Sequence, residues 1–310
     1  MAHRSTGLWR GAAALLCSLF LLVIGLFPSP STVALDPVAP PPVTAQAVYV
    51  YDSTLDVVLY ELNANEQRPP ASLTKIATAI LVVHLAPDVS QLVTIDPVDV
   101  LDASDGQSMM ALLAGDVISI HDLLYGLLLN SGNDAATTLA RYLGQQLLDA
   151  EGASGDPVQR FMGELNSYLA GLGLSDTHFV NPHGLYDPDH YSTAHDMAIM
   201  AGALLENDLL ATIVSTPEIT VTSTLGNAYT LQNTNRLLGE PGITGMKTGT
   251  LPESGACLVA SKKGPAGTSI VTVLLGSEIQ FSVEGVQDAT TDKRFADAQT
   301  IFTSVESDYA

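Results

Sequence analysis

Residues 69–79, PPASLTKIATA, form the stretch on which the fold turns. Pro69 and Pro70 keep the backbone ahead of them extended, because the residue before a proline is steered away from the helical region. Ser72 then opens an apolar run, SLTKIATAILVVHL (72–85), that reads as a helix buried around Ile76, Ala79, Ile80 and Val83. Ser72 and Lys75 lie one turn apart on one face of it. A serine hydroxyl is a poor nucleophile at neutral pH and needs a base beside it. A lysine becomes that base once its surroundings keep it neutral. The same spacing arises by chance on solvated helices, so the pair calls for support elsewhere in the chain.

Working outward, AVYVYD (47–52) and DVVLYEL (56–62) read as two strands joined by a short turn. After the central helix come four helical patterns, at 121–130, 133–144, 157–173 and 192–206, the last capped by Ser192 or Thr193. Strand signals return at 219–223, 243–249, 256–262 and 269–276, and an amphipathic helix closes the pattern at 292–305. Strands, then helices, then strands describe an α+β domain over 46–305 with an inserted helical lobe. No second globular domain is expected after Val305, and 306–310 reads as an acidic tail.

The 310 residues carry 12 Lys and Arg against 33 Asp and Glu, a net charge of −21. That argues against nucleic acid as a partner, since phosphate binding needs a basic face. Residues 1–34 read as an export signal or N-terminal anchor. Arg4 and Arg10 flank an uncharged run from Gly11 to Phe27, and Thr32-Val33-Ala34 offers a small-residue cleavage site. Membrane contact is expected through that segment only. A proline-rich linker follows at 35–45, part of six prolines between Pro28 and Val43. Cys17 lies in the apolar run and Cys257 in an apolar strand, where it reads as a small core residue.

Two further segments supply the support. Ser131-Gly132-Asn133 sits between two helical patterns, and Lys247-Thr248-Gly249-Thr250 sits in a strand. Two of only five lysines fall in the motifs. Ser-x-x-Lys, then Ser-Asp-Asn, then Lys-Thr-Gly is the ordered signature of penicillin-binding proteins and class A β-lactamases. Gly132 here replaces the Asp of the middle motif. The chemistry reads as follows. Ser72 is the nucleophile, and Lys75 takes its proton. Lys247 keeps Lys75 neutral by like-charge repulsion. Ser131 relays a proton to the leaving amine, and Asn133 fixes Lys75 and a substrate amide. Gly249 lets a substrate backbone lie along the strand edge, and Lys247, Thr248 and Thr250 suit a carboxylate. The backbone N–H groups of Ser72 and Thr250 would hold an oxyanion.

With these residues in hand, the chain resembles the serine D-Ala-D-Ala carboxypeptidases, the low-molecular-mass penicillin-binding proteins, from about Ala45 to about Val305. PPASLTKIATA, LLLNSGNDAA, Phe179 to Leu185, YSTAHDMAIMA and KTGTLPESGACLVA all look like that family's blocks. The resemblance implies a β-lactamase/transpeptidase-like fold: a five-stranded antiparallel sheet flanked by helices, plus the helical lobe. It implies removal of the terminal D-alanine from peptidoglycan stem peptides ending in D-Ala-D-Ala, β-lactams as covalent inhibitors, and no cofactor or metal. Some members bind the substrate carboxylate with an arginine near the position of Ser269; here Lys262, Lys263 or the threonines are the alternatives.

Other readings stay beside this one: a DD-endopeptidase, a β-lactamase, or a β-lactam sensor that acylates without turnover. A class A β-lactamase glutamate would precede Glu164-Leu165-Asn166 by two residues, where this chain has Met162, so Glu164 and Asn166 are expected on a solvated helix face. His183, His190 and His195 with neighbouring aspartates match no zinc spacing and read as loop and cap residues. Asp134 reads as first-turn compensation of a helix dipole.

Overall fold

The structure, a computed structural model, describes residues 38–308 apart from 103, 105, 265, 266 and 284. The expected export segment, Cys17 and the first prolines of the linker lie outside the described residues.

Two strands come first, β1 (Ala47–Asp52) and β2 (Val57–Leu62), then a 3-10 turn (Ala71–Leu73) and α1 (Thr74–Leu85). A short hairpin of β3 (Leu92–Thr94) and β4 (Val117–Ser119) leads into α2 (Ile120–Leu128), α3 (Asn133–Glu151), α4 (Pro157–Gly171), α5 (Ala194–Leu205) and α6 (Asp208–Val214). A second hairpin, β5 (Glu218–Thr222) and β6 (Ala228–Gln232), precedes the long strands β7 (Ile243–Leu251), β8 (Gly255–Lys263) and β9 (Ser269–Ser277). The pair β10 (Gln280–Phe281) and β11 (Gln287–Asp288) and helix α7 (Arg294–Asp308) follow.

β1, β2, β7, β8 and β9 form one antiparallel sheet in the order β2-β1-β9-β8-β7. Alternation along its strands explains its two-sided burial. Cys257 and Val259 of β8 and Val271, Val273 and Leu275 of β9 face the core beneath α1 and α5. Leu258, Ala260, Ile270 and Leu274 face the other way, onto Ala298, Ile301, Phe302 and Val305 of α7. Cys257 is a buried free thiol, as its apolar strand predicts. The larger core continues into the lobe through Leu123, Leu127, Leu139, Phe161 and Leu165.

Two of the boundaries that differ from the sequence expectation bear on the cleft and on the lobe. Ser72 lies in the 3-10 turn rather than in the helix, because α1 begins at Thr74 and Ala71 adopts φ +50°. Helix α3 runs past Gly144 to end at Gly152, which has φ +63°. Gly144 stays helical because α4 packs against it, and a Cβ there would strike the carbonyl of Pro157.

Candidate active site

One edge of the sheet is β7, and its partner across the cleft is the turn carrying Ser72. Gly249 makes this approach feasible. A Cβ on it would lie 2.9 Å from the Pro70 carbonyl and 3.0 Å from the Ser72 nitrogen, closer than side chains tolerate. Gly184, at φ +93°, presses from another side, and a Cβ there would collide with the Ala71 carbonyl. Behind the turn, Val180 N–H donates to His190 Nδ1 at 3.1 Å, leaving His190 Nε2 to donate to Thr74 Oγ1 at 2.8 Å. Thr74 Oγ1 in turn donates to the Ala71 carbonyl at 2.9 Å. Burial lowers the His190 pKa to about 4, which keeps that chain of donors in one sense at neutral pH.

Lys75 is fully buried on the first turn of α1. Its Nζ lies 3.0 Å from Ser72 Oγ, 2.7 Å from Asn133 Oδ1 and 2.7 Å from the His183 carbonyl. Burial, and then the charge of Lys247, hold its pKa well below the ordinary lysine value. A neutral amine has two hydrogens and one lone pair. Two carbonyl oxygens take the hydrogens, so the lone pair is left for the Ser72 hydroxyl. That is the geometry of a base beside its nucleophile.

The loop between α2 and α3 supplies the second wall. Ser131 adopts φ +58°, a left-handed conformation for a residue with a side chain. Its Oγ is buried and has no hydrogen-bond partner among the described residues. Gly132 is explained by crowding. A Cβ would meet Asp134 Oδ1 at 2.8 Å, the Met110 nitrogen at 3.0 Å and the Gly126 carbonyl at 3.1 Å, so an aspartate does not fit this loop. Asp134 does more than offset a helix dipole. Its buried carboxylate accepts from the backbone N–H groups of Met110, Leu112 and Ala135 at 2.8, 3.1 and 2.9 Å, which pins residues 110–112 to the loop. Asn133 uses its Oδ1 on Lys75 as expected, while its Nδ2 donates to Gln107 at 2.8 Å.

On β7, Lys247 is fully buried and donates to the Thr248 carbonyl at 2.9 Å. Burial and the charge of Arg294 lower its pKa to about 7. The Thr248 hydroxyl is 2.7 Å from that of Thr234. The Thr250 hydroxyl accepts from Arg294. Ser72, Lys75, Asn133 and Gly249 therefore meet directly, Lys247 acts on Lys75 through charge, and Ser131 lies beside Asn133.

Several participants escape the sequence. Arg294, at the start of α7, donates from Nη1 to the carbonyls of Gly249 (2.7 Å) and Cys257 (3.0 Å), and its Nε pairs with Asp292 (2.9 Å). The sequence reading did not name this cation at the Thr250 end of β7. Lys262 faces Ile243 at the far end of β7 and pairs with Glu306, and Lys263 faces Ser269. Seven residues of strand, roughly 20 Å, separate Ile243 from Thr250. Asn166 is also corrected: it is not on a free face but bonds the N–H and C=O of Phe179 at 2.9 and 2.8 Å. Glu164 pairs with Arg160, and Met162 is buried in the core.

A serine facing a buried, doubly tethered lysine between an α-lobe and a sheet edge is the arrangement of a nucleophile beside its base, on the fold of the penicillin-recognising class. The chain belongs to the D-alanyl-D-alanine carboxypeptidase family of serine peptidases, whose pattern matches residues 35–278. It is 35% identical over 222 residues to D-alanyl-D-alanine carboxypeptidase DacF of Bacillus subtilis, covering 71% of this chain and 54% of that protein. It is 32% identical over 280 residues to a D-alanyl-D-alanine carboxypeptidase of a Streptomyces species, covering 87% and 93%. The crystal structure of the Streptomyces K15 DD-transpeptidase superposes with a TM-score of 0.72 at 30% identity, covering 86% of this chain and 98% of that one. The chain thus spans about half the length of the first of these relatives and nearly all of the other two.

Proposed function

We propose that the protein is an exported serine DD-carboxypeptidase that removes the terminal D-alanine from peptidoglycan stem peptides. One observation carries the reading: Lys75 Nζ sits 3.0 Å from Ser72 Oγ and 2.7 Å from each of two carbonyl oxygens. In the reaction, Ser72 Oγ attacks the carbonyl carbon of the penultimate D-alanine as its proton passes to Lys75. The N–H groups of Ser72 and Thr250 hold the oxyanion. The C–N bond breaks, and the departing D-alanine takes a proton through Ser131. Water then cleaves the Ser72 ester, its proton passing through Lys75 to Ser72 Oγ, which leaves as the hydroxyl. The terminal carboxylate lies toward Lys247 and Thr248.

β-Lactams are the expected covalent inhibitors, because their ring carbonyl presents the same acyl group to Ser72. Relatives are named both for carboxypeptidase and for transpeptidase activity, and the two share this acyl-enzyme; water as acceptor gives the former. Export rests on the basic flank, apolar run and small-residue site within residues 1–34. The test is mass spectrometry after incubation with penicillin, on the wild type and Ser72→Ala. The expected result is an adduct on Ser72 that the variant lacks, together with D-alanine release from a diacyl-Lys-D-Ala-D-Ala peptide. An adduct on another residue overturns the assignment.

A further inference from the structure

The cations of this acidic chain are not spread evenly. Of the ten Lys and Arg residues after Arg10, Lys75, Lys247 and Arg294 belong to the cleft just described. Arg68 and Lys293 line a cavity of about 670 Å³ at the end of β7. Arg68 lies four residues ahead of Ser72, and its backbone pairs with Ser192. Lys293 precedes the Arg294 that holds Thr250, and its N–H donates to the Glu278 carbonyl. Pro252 and Glu253 form the wall that continues β7 beyond Thr250. The loop from β10 to β11 approaches this wall, since a Cβ on Gly285 would lie 4.0 Å from Pro252 Cγ.

The orientation of a substrate follows from the proposed function, on which this inference rests. The leaving D-alanine carboxylate lies toward Lys247, Thr248 and Ser131. The acyl portion must then leave the oxyanion donors in the other direction, along the edge of β7 past Thr250. One extended residue advances about 3.4 Å, so the third residue of the stem peptide falls beside Leu251 and Pro252. Its side chain is there at the mouth of the cavity. The walls carry both signs: Arg68 and Lys293, with Glu253 and Glu278.

We infer that this cavity binds the side chain of the third stem residue, and that its mixed charges select an end bearing both an ammonium and a carboxylate, a diamino-dicarboxylic acid. Arg68 and Lys293 meet the carboxylate, and Glu253 and Glu278 meet the ammonium. A lysine side chain meets only the acids and offers the two cations no carboxylate. The Arg68 guanidinium is a suitable fork for a carboxylate, and its present partner, Glu66, is half exposed and readily exchanged.

The test compares kcat/KM for D-alanine release from three diacyl peptides that differ only in the third residue: meso-diaminopimelate, lysine or norleucine. The wild type is expected to prefer diaminopimelate over lysine by about tenfold, the size of one good charge-assisted contact. Lys293→Glu and Arg68→Gln are expected to shrink that ratio to about threefold or less. The ratio is read rather than either rate, so a general loss of activity does not imitate the result, and penicillin acylation checks that each variant has folded. Equal kcat/KM on all three peptides overturns the inference alone, as does a ratio indifferent to both substitutions. Absence of release from every peptide removes the carboxypeptidase reading and the inference with it.

Discussion

Lys75 Nζ and Asn133 Oδ1 are 2.7 Å apart, and both residues are buried. The uncharged amide accepts a hydrogen from the amine without drawing a proton onto it. Asn133→Asp keeps the shape and puts a negative charge at that distance. An adjacent opposite charge favours the ammonium form. The variant is expected to acylate with penicillin at least about 100-fold more slowly at pH 7, the size of one lost general base. Stopped-flow acylation across pH would show the acid limb displaced upward, and an unmoved limb would contradict the base assignment.

Lys247 has a pKa lowered to about 7 by burial and by Arg294. It therefore carries its proton below that pH and loses it above. If its ammonium holds the substrate carboxylate, kcat/KM for a peptide ending in a free carboxylate falls as pH rises through about 7. The same peptide ending in an amide lacks that alkaline limb. In kcat the limb moves to higher pH, because bound carboxylate stabilises the ammonium.

Lys247 also bears on stability. Its pKa is about 7 folded and 10.5 in the reference state. Between those values the unfolded chain holds a proton that the folded one has shed. Stability therefore rises with pH across that window. Lys75, lowered for the same first cause, acts in the same direction. Lys247→Met removes one such contribution. Denaturant unfolding is expected to show a gain of about 1–4 kcal/mol at pH 7 and a flatter pH dependence from 7 to 10, with substrate turnover lost.

Gly184→Ala tests the packing behind Ser72. The residue has φ +93°, and its new Cβ would meet the Ala71 carbonyl. Either the 184 loop or the Ser72 turn must give way. A loss of stability of about 2 kcal/mol or more is expected. Penicillin acylation at a temperature where the variant remains folded should fall as well. Normal acylation would mean that the loop, not the turn, had moved.

The three motifs were legible because each carries its chemistry in side chains at fixed short spacing, inside or next to an element long enough to show its period. Ser72 and Lys75 share one turn, and Lys247 to Thr250 share one strand. The five-stranded sheet was accessible through the resemblance, and its long strands through their apolar runs. What escaped did so for identifiable reasons. β3, β4, β10 and β11 have two or three residues each, too few to display alternation. The His183 group that holds Lys75 is a backbone carbonyl, which leaves no trace in residue type. Gln107 and Arg294 reach the site from segments remote in sequence, and only the fold joins them to Asn133 and Thr250. Asp134 looks like an ordinary first-turn acid until the 108–112 segment is laid over it.

The guanidinium behind Gly249 and Thr250 also imposes an order of events during synthesis. A nascent chain possesses its nucleophile while most of the domain is still unmade, and the support for the opposite wall arrives only with the helix that begins at Arg294. A polypeptide cut short upstream of that helix would contain all three motifs and lack the guanidinium that ties Gly249 of β7 to Cys257 of β8.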